Sequence, residues 1–169
     1  EWITCGDFDD NKVFLFMHGG GYYRGSVAAS RAVVARISKE AKVKCLSINY
    51  RLAPEHLFPA AIDDTFSSYK WLLNNGINPK NIIVSGQSAG GGLCLSLLLK
   101  IKENNFSQPL GAVALSPWTD LSQSGKTMVT NENIDPIISK KYLDRFAKLY
   151  FPDSNNMSHL ASPIIGDLS

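Results

Sequence analysis

Apolar and polar residues alternate along this chain in short blocks, and the period of each block predicts its element. Val13 to Met17 is an unbroken apolar run between Lys12 and a cluster of glycines, the mark of a buried strand. Between about Ser30 and Ala41, the residues Val33, Val34, Ile37 and Ala41 fall on one face of a helix. Val43 to Asn49 reads as the next strand. Ile62, Phe66, Tyr69 and Leu73 share a face of a helix from Ala60 to Asn75, which Asn75-Gly76 closes. Ile82 to Ser85 is a third strand. Ala89 to about Lys102 is a helix that is apolar nearly all round, and therefore deeply buried. Gly111 to Ser116 is a fourth strand. A looser stretch, 117–138, then leads to a helix near Ser139 to Tyr150 that carries Leu143, Phe146 and Leu149.

Strands that alternate with helices predict an α/β fold, a mostly parallel sheet with helices on both faces. In such sheets the functional residues gather at the carboxyl ends of the strands. His18 to Gly21, Tyr50 to His56, Gly86 to Gly90 and Ser116 to Trp118 all stand at those ends. Four central strands would leave two sheet edges uncovered, so either other material covers them or the chain forms oligomers through them.

Length and charge narrow the picture. At 169 residues the chain has enough material for one real core. Its 17 basic and 15 acidic residues are interspersed without a basic run, which argues against nucleic acid as a partner. The apolar stretches are too short to span a bilayer. Cys5, Cys45 and Cys94 form no C-x-x-C pair and read as reduced thiols, neither a disulfide frame nor a metal site. They point to the cytoplasm. The chain opens within a strand-and-turn region, Glu1-Trp2-Ile3, so the reading leaves room for a leader upstream.

The chemistry concentrates in three segments. Gly86-Gln87-Ser88-Ala89-Gly90 sets a serine between a strand and a helix, where a sharp turn holds its hydroxyl out at the end of the sheet. Glycines flank it because the backbone bends tightly and the helix packs close. His18-Gly19-Gly20-Gly21 caps the first strand. Tyr50-Arg51-Leu52-Ala53-Pro54-Glu55-His56-Leu57-Phe58-Pro59-Ala60 follows the second. A dinucleotide site is the rival for the glycine loop, since Gly19, Gly21 and Gly25 lie between a strand and a helix. That fingerprint wants an acidic residue at the end of the next strand, and Asn49-Tyr50 stands there.

In this order the three segments resemble the hormone-sensitive-lipase-like branch of the α/β-hydrolases, the serine esterases and lipases. The resemblance runs from about Trp2 to the Ser162-Pro163-Ile164-Ile165-Gly166-Asp167-Leu168-Ser169 end. It implies a carboxylic-ester hydrolase that acts on small to medium acyl esters through an acyl-serine intermediate, with no cofactor or metal. Ser88 would be the nucleophile. By the logic of the fold the backbone N–H of Ala89 would be one oxyanion donor, and the resemblance adds Gly20 and Gly21. It makes residues 1–169 one portion of a catalytic domain, with about 117–155 contributing to a lid. His18 reads as fixing its loop. Arg51, Glu55 and His56 read as pinning theirs through buried hydrogen bonds and charge pairs. Trp118 would line the pocket or pack the core.

The catalytic base is harder to place. The fold's chain order is serine, then Asp or Glu, then His, and Ser88, Asp120 or Asp135, and His159 occur in that order. The resemblance argues against this set. Asp120 lies just past the fourth strand, Asp135 leads into the lid helix, and His159 precedes a Ser-Pro that in the family stands before the acid. The family's acid and histidine are therefore expected beyond Ser169, and its amino-terminal lid helices are absent as well. Gln87 departs from the family too, where many relatives carry Asp. Two alternatives remain open: a receptor-like small-molecule binder on the same scaffold, and an inactive truncated fragment.

Overall fold

The computed structural model describes residues 1–153 and 156–168. Ser154 and Asn155, at the end of the expected lid segment, and the terminal Ser169 lie outside the described residues. Five strands form one sheet: β1 (Trp2–Ile3), β2 (Asp9–Met17), β3 (Val43–Ile48), β4 (Ile82–Gln87) and β5 (Gly111–Leu115), in the spatial order β1-β3-β2-β4-β5. All pairings are parallel except that of β1 with β3. The crossovers are the helices α1 (Val27–Ala41), α2 (Ala60–Asn74) and α3 (Ala89–Glu103). A short α4 (Thr127–Thr130) and then α5 (Lys140–Tyr150) follow the sheet.

Strand β2 shows why the sheet needs cover on both faces. Its side chains alternate: Val13, Leu15 and Met17 enter one core with α2 and α3, whereas Phe14 and Phe16 enter a second core under α1. Helix α3 is buried along most of its length, as its all-round apolarity predicts. On α1, Val34 is buried but Val33 is 47% exposed, and Ser38 fills the inward position instead. Ser38 earns that place by bonding, since its hydroxyl donates to the Val43 carbonyl at 2.8 Å and accepts from the Cys5 N–H at 3.1 Å.

One of the two edges differs from the four-strand expectation. β1, too short to show a period, pairs with β3 and shields one side, helped by the Ser47 N–H, which donates to the Glu1 carbonyl at 2.9 Å. β5 forms the other edge, with Val113 and Leu115 exposed. Cys5, Cys45 and Cys94 are all free thiols, and burial pushes Cys45 up to about 11 and Cys94 to about 12. Among the described residues no helix is long and apolar enough to cross a membrane.

Candidate active site

The backbone of Ser88 is held from both sides while its side chain is left alone. Ser88 joins β4 to α3 at φ +54° and ψ −118°, a conformation that L-residues rarely adopt and that costs about 1–3 kcal/mol. Its N–H donates to the Leu115 carbonyl at 3.0 Å, and its carbonyl accepts from Gly92 at 2.9 Å and Trp118 at 3.0 Å. Its hydroxyl does not cap α3 and bonds to no described residue.

The glycines of the elbow are there for space. A Cβ on Gly86 would lie 2.1 Å from the Gly90 carbonyl oxygen, and one on Gly90 2.1 Å from that of Met17. These contacts thread α3 between the ends of β2 and β4 and put its amino terminus, the positive end of the helix dipole, behind Ser88.

The glycine loop passes beside the serine. A Cβ on Gly19 would sit 3.4 Å from that of Ser88. Gly20 and Gly21 both have positive φ, +125° and +63°. The Gly20 carbonyl accepts from Tyr23 and Arg24, closing a tight turn. No described acceptor takes the N–H of Gly20, Gly21 or Ala89. Three backbone donors thus stand unspent on the two segments that meet at an unspent hydroxyl. A side chain on Gly20 would strike the Arg24 carbonyl at 2.1 Å, so such a substitution would reshape the turn as well as disturb a donor.

His18 holds the loop, as expected. Its Nδ1–H donates to the Gly19 carbonyl at 2.8 Å, its ring stacks on Tyr50 at 4.3 Å, and its own carbonyl accepts from the Tyr50 hydroxyl at 2.7 Å. Burial holds the His18 ring below the ordinary histidine range, only partly offset by the bond to Gly19. Asn49, at the position that a dinucleotide site would give to an acid, accepts from Val27 N–H at 2.8 Å and so satisfies the first N–H of α1.

The tempting triad partners are engaged elsewhere. Partial burial favours a neutral Asp120, but bonds from Ser122 and Ser124 outweigh it and hold the carboxyl below its usual range. Asp135 closes a turn by accepting from the N–H groups of Ile137 and Ile138. His159 pairs with Glu103, the last residue of α3. Ser88 precedes the first residue of that 15-residue helix, so the pair lies about 20 Å along its axis from the serine.

One expectation needs correcting. Arg51 does pin its loop, through a two-pronged pair with Asp64, but the pair is partly exposed, and Glu55 and His56 are exposed side chains. The loop is held instead by apolar burial of Tyr50 and Ala53 and by the Ala53 N–H on the Tyr22 carbonyl at 2.8 Å.

A cleft of about 400 Å³ opens on one side of Ser88, walled by Trp118, Gln123, Met128, Ile138 and Leu143. Trp118 is both wall and core: it is 8% exposed, and its indole N–H donates to Gln123 Oε1 at 3.0 Å. A smaller hollow of about 260 Å³ lies on the other side, between Ser88 and the glycine loop. A larger hollow, about 600 Å³, is lined mainly by charged residues of α5 and contains no serine or cysteine. No group of metal-ligating side chains forms among the described residues. Sequence reading missed the role of Tyr22 and Tyr23, which pack the glycine loop against α5. Their signal was the spacing of Phe146 and Tyr150, four residues apart on one helical face.

A strained serine at a strand–helix elbow, beside a glycine loop at the carboxyl end of a parallel sheet, is the arrangement of the α/β-hydrolase class. The chain belongs to the alpha/beta hydrolase fold family, whose model matches residues 14–169. It is 32% identical over 169 residues to an acetyl-hydrolase of Streptomyces hygroscopicus, covering 100% of this chain and 56% of that protein. It is 34% identical over 158 residues to an esterase of Acinetobacter venetianus, covering 93% and 52%. Among solved structures, an esterase from the bacterial hormone-sensitive lipase family superposes with a TM-score of 0.96 at 39% identity, over 99% of this chain and 57% of that one. The likeness to the hormone-sensitive-lipase-like branch therefore holds. The chain spans about half the length of the curated relatives it matches.

Proposed function

We propose that these residues are the nucleophile-bearing part of a carboxylic-ester hydrolase. The unpaired Ser88 hydroxyl, set on a strained elbow among three unspent N–H donors, carries the reading. Ser88 Oγ attacks the ester carbonyl carbon as a histidine takes its proton. The N–H groups of Gly20, Gly21 and Ala89 receive the developing oxyanion. The alcohol leaves with a proton from that histidine, and water then releases the acyl group from the serine. The size of the cleft fits small to medium acyl esters. The names of the relatives, esterase and acetyl-hydrolase, point the same way.

The histidine and its carboxylate are supplied from outside these 169 residues, because His18 and His159 are both committed elsewhere and His56, an exposed side chain, lines neither hollow beside Ser88. Residues 117–155 contribute to the lid, since Met128, Ile138 and Leu143 already wall the cleft. The open β5 edge supports pairing with further chain or with a second copy, and three free thiols suit the cytoplasm.

The test uses the protein at its native length. Ser88→Ala should lower kcat on p-nitrophenyl butyrate by on the order of 10⁶-fold while leaving the unfolding midpoint in place. A p-nitrophenyl phosphonate should label Ser88 and no other residue. Substantial turnover by Ser88→Ala would overturn the assignment.

A further inference from the structure

Gly21 carries one of the three unspent donors, and that N–H shares its peptide plane with the Gly20 carbonyl. The turn holds this carbonyl, which accepts from the Tyr23 N–H at 3.3 Å and the Arg24 N–H at 3.1 Å. The donor is therefore aimed only as firmly as the turn is held. At φ +63° Gly21 sits in a region open to glycine, so the turn needs support from outside itself.

What meets it is a pair of rings. A Cβ on Gly21 would lie 3.1 Å from Phe146 Cδ2 and 3.3 Å from Tyr23 Cδ1, so both rings lie close against this residue. Phe146 and Tyr23 stack with centroids 4.4 Å apart at 28°, and the Arg24 guanidinium lies over the Tyr23 ring at 5.3 Å. Phe146 belongs to α5, whose hold on the loop is reinforced one turn later. Tyr150 stacks on Tyr22 at 3.9 Å and 7°, meets Phe58 edge-on, and accepts the Phe58 N–H through its carbonyl at 2.9 Å. Leu143, one turn earlier on α5, faces the cleft beside Ser88.

We propose that Phe146 is a positioning residue for the oxyanion donor of Gly21. By packing against Gly21 and against Tyr23, whose N–H closes the turn on the Gly20 carbonyl, it holds in place the turn whose peptide carries that N–H. The inference rests on the ester-hydrolase reading. Its physical basis is that the oxyanion exists only in the transition state, so a misdirected donor costs turnover and not substrate binding.

The experiment compares Phe146→Leu, which keeps apolar volume without a flat ring, with Phe146→Tyr, which keeps the ring. Both are made in the native-length protein, with active sites counted by phosphonate titration. Phe146→Leu should lower kcat per titrated site by roughly 10–10²-fold with KM nearly unchanged. It should weaken a trifluoromethyl-ketone analogue of the tetrahedral intermediate by the same factor, and Phe146→Tyr should behave like the parent. An unchanged kcat per titrated site, a rise in KM alone, or a loss explained wholly by fewer titrated sites would each overturn the proposal. The two readings fail differently. A parent protein that neither turns over esters nor is labelled at Ser88 removes the hydrolase reading. An active parent silenced by Ser88→Ala but indifferent to Phe146→Leu removes this one alone.

Discussion

The two ends of α3 are built on opposite principles. At the amino end Ser88 is strained, its backbone bonds are all used, and Gly90, Gly91 and Gly92 let other chain segments approach within distances that a side chain would block. At the carboxyl end the side chains are long and charged, and the contacts are surface pairs: His159 with Glu103, and Lys102 with Asp167 at 3.0 Å. One end fixes backbone positions through close packing. The other dissolves the helix terminus in solvent. A hydroxyl can be held in a costly geometry only where surrounding backbone over-determines it, so the first end is where a reactive hydroxyl is proposed.

The strongest way to break this contrast is to put a methyl group into the packed end. Gly90→Ala would bring a Cβ to 2.1 Å from the Met17 carbonyl and 2.5 Å from that of His18. Because the obstacles are backbone, we expect a loss of at least about 3 kcal/mol in urea unfolding, at the upper end of ordinary overpacking. Labelling of Ser88 should be lost with it. Gly111→Ala, whose Cβ would meet nothing within 4 Å, is the control and should unfold like the parent. Equal stability of the two variants would show that the elbow is loosely packed.

A smaller effect should come from pH, again through the amino end. Burial keeps His18 neutral in the fold and lowers its pKa from the ordinary 6.5. The unfolded chain therefore takes up this proton first as pH falls. The stabilisation is fully present above about 6.5 and declines as pH drops toward the lowered folded value. Asp64 and Asp120 are also depressed, but from 3.8, so their contributions are lost only at lower pH. Urea midpoints at pH 7.5 and pH 5 should show the decline. His18→Asn, which can keep a donor for the Gly19 carbonyl, should flatten it.

The smallest effect should be at the other end. His159→Ala removes one partner of a surface pair about 20 Å from the serine. Ester turnover by the native-length protein should be unchanged, and so should the unfolding midpoint. A marked loss of kcat would mean that His159 reaches Ser88, and would undo the contrast between the ends.

Much of this was legible in the residues themselves. The run Val13 to Met17, the all-round apolarity of α3 and the pentad around Ser88 are local patterns, set by strand and helix periods and by the room that glycine makes. They sufficed for the fold class and for the elbow, whereas the proposal of Gly20 and Gly21 as donors came from the family resemblance and that of Ala89 from the logic of the fold. Chain order also suggested Asp120 and His159 as partners of Ser88, and spacing along the chain could not measure the length of α3 that separates His159 from the serine. Tertiary structure decided that. It also decided that Asp120 spends its carboxylate on Ser122 and Ser124, that Ser38 and not Val33 turns inward from α1, and that Trp2-Ile3 completes a fifth strand. Above all it brought Phe146 and Tyr150 against Tyr23 and Tyr22, residues more than 120 positions apart in the sequence. Periodicity reports which face of an element is apolar. Which surface that face meets depends on how the elements pack, and packing is a property of the whole chain.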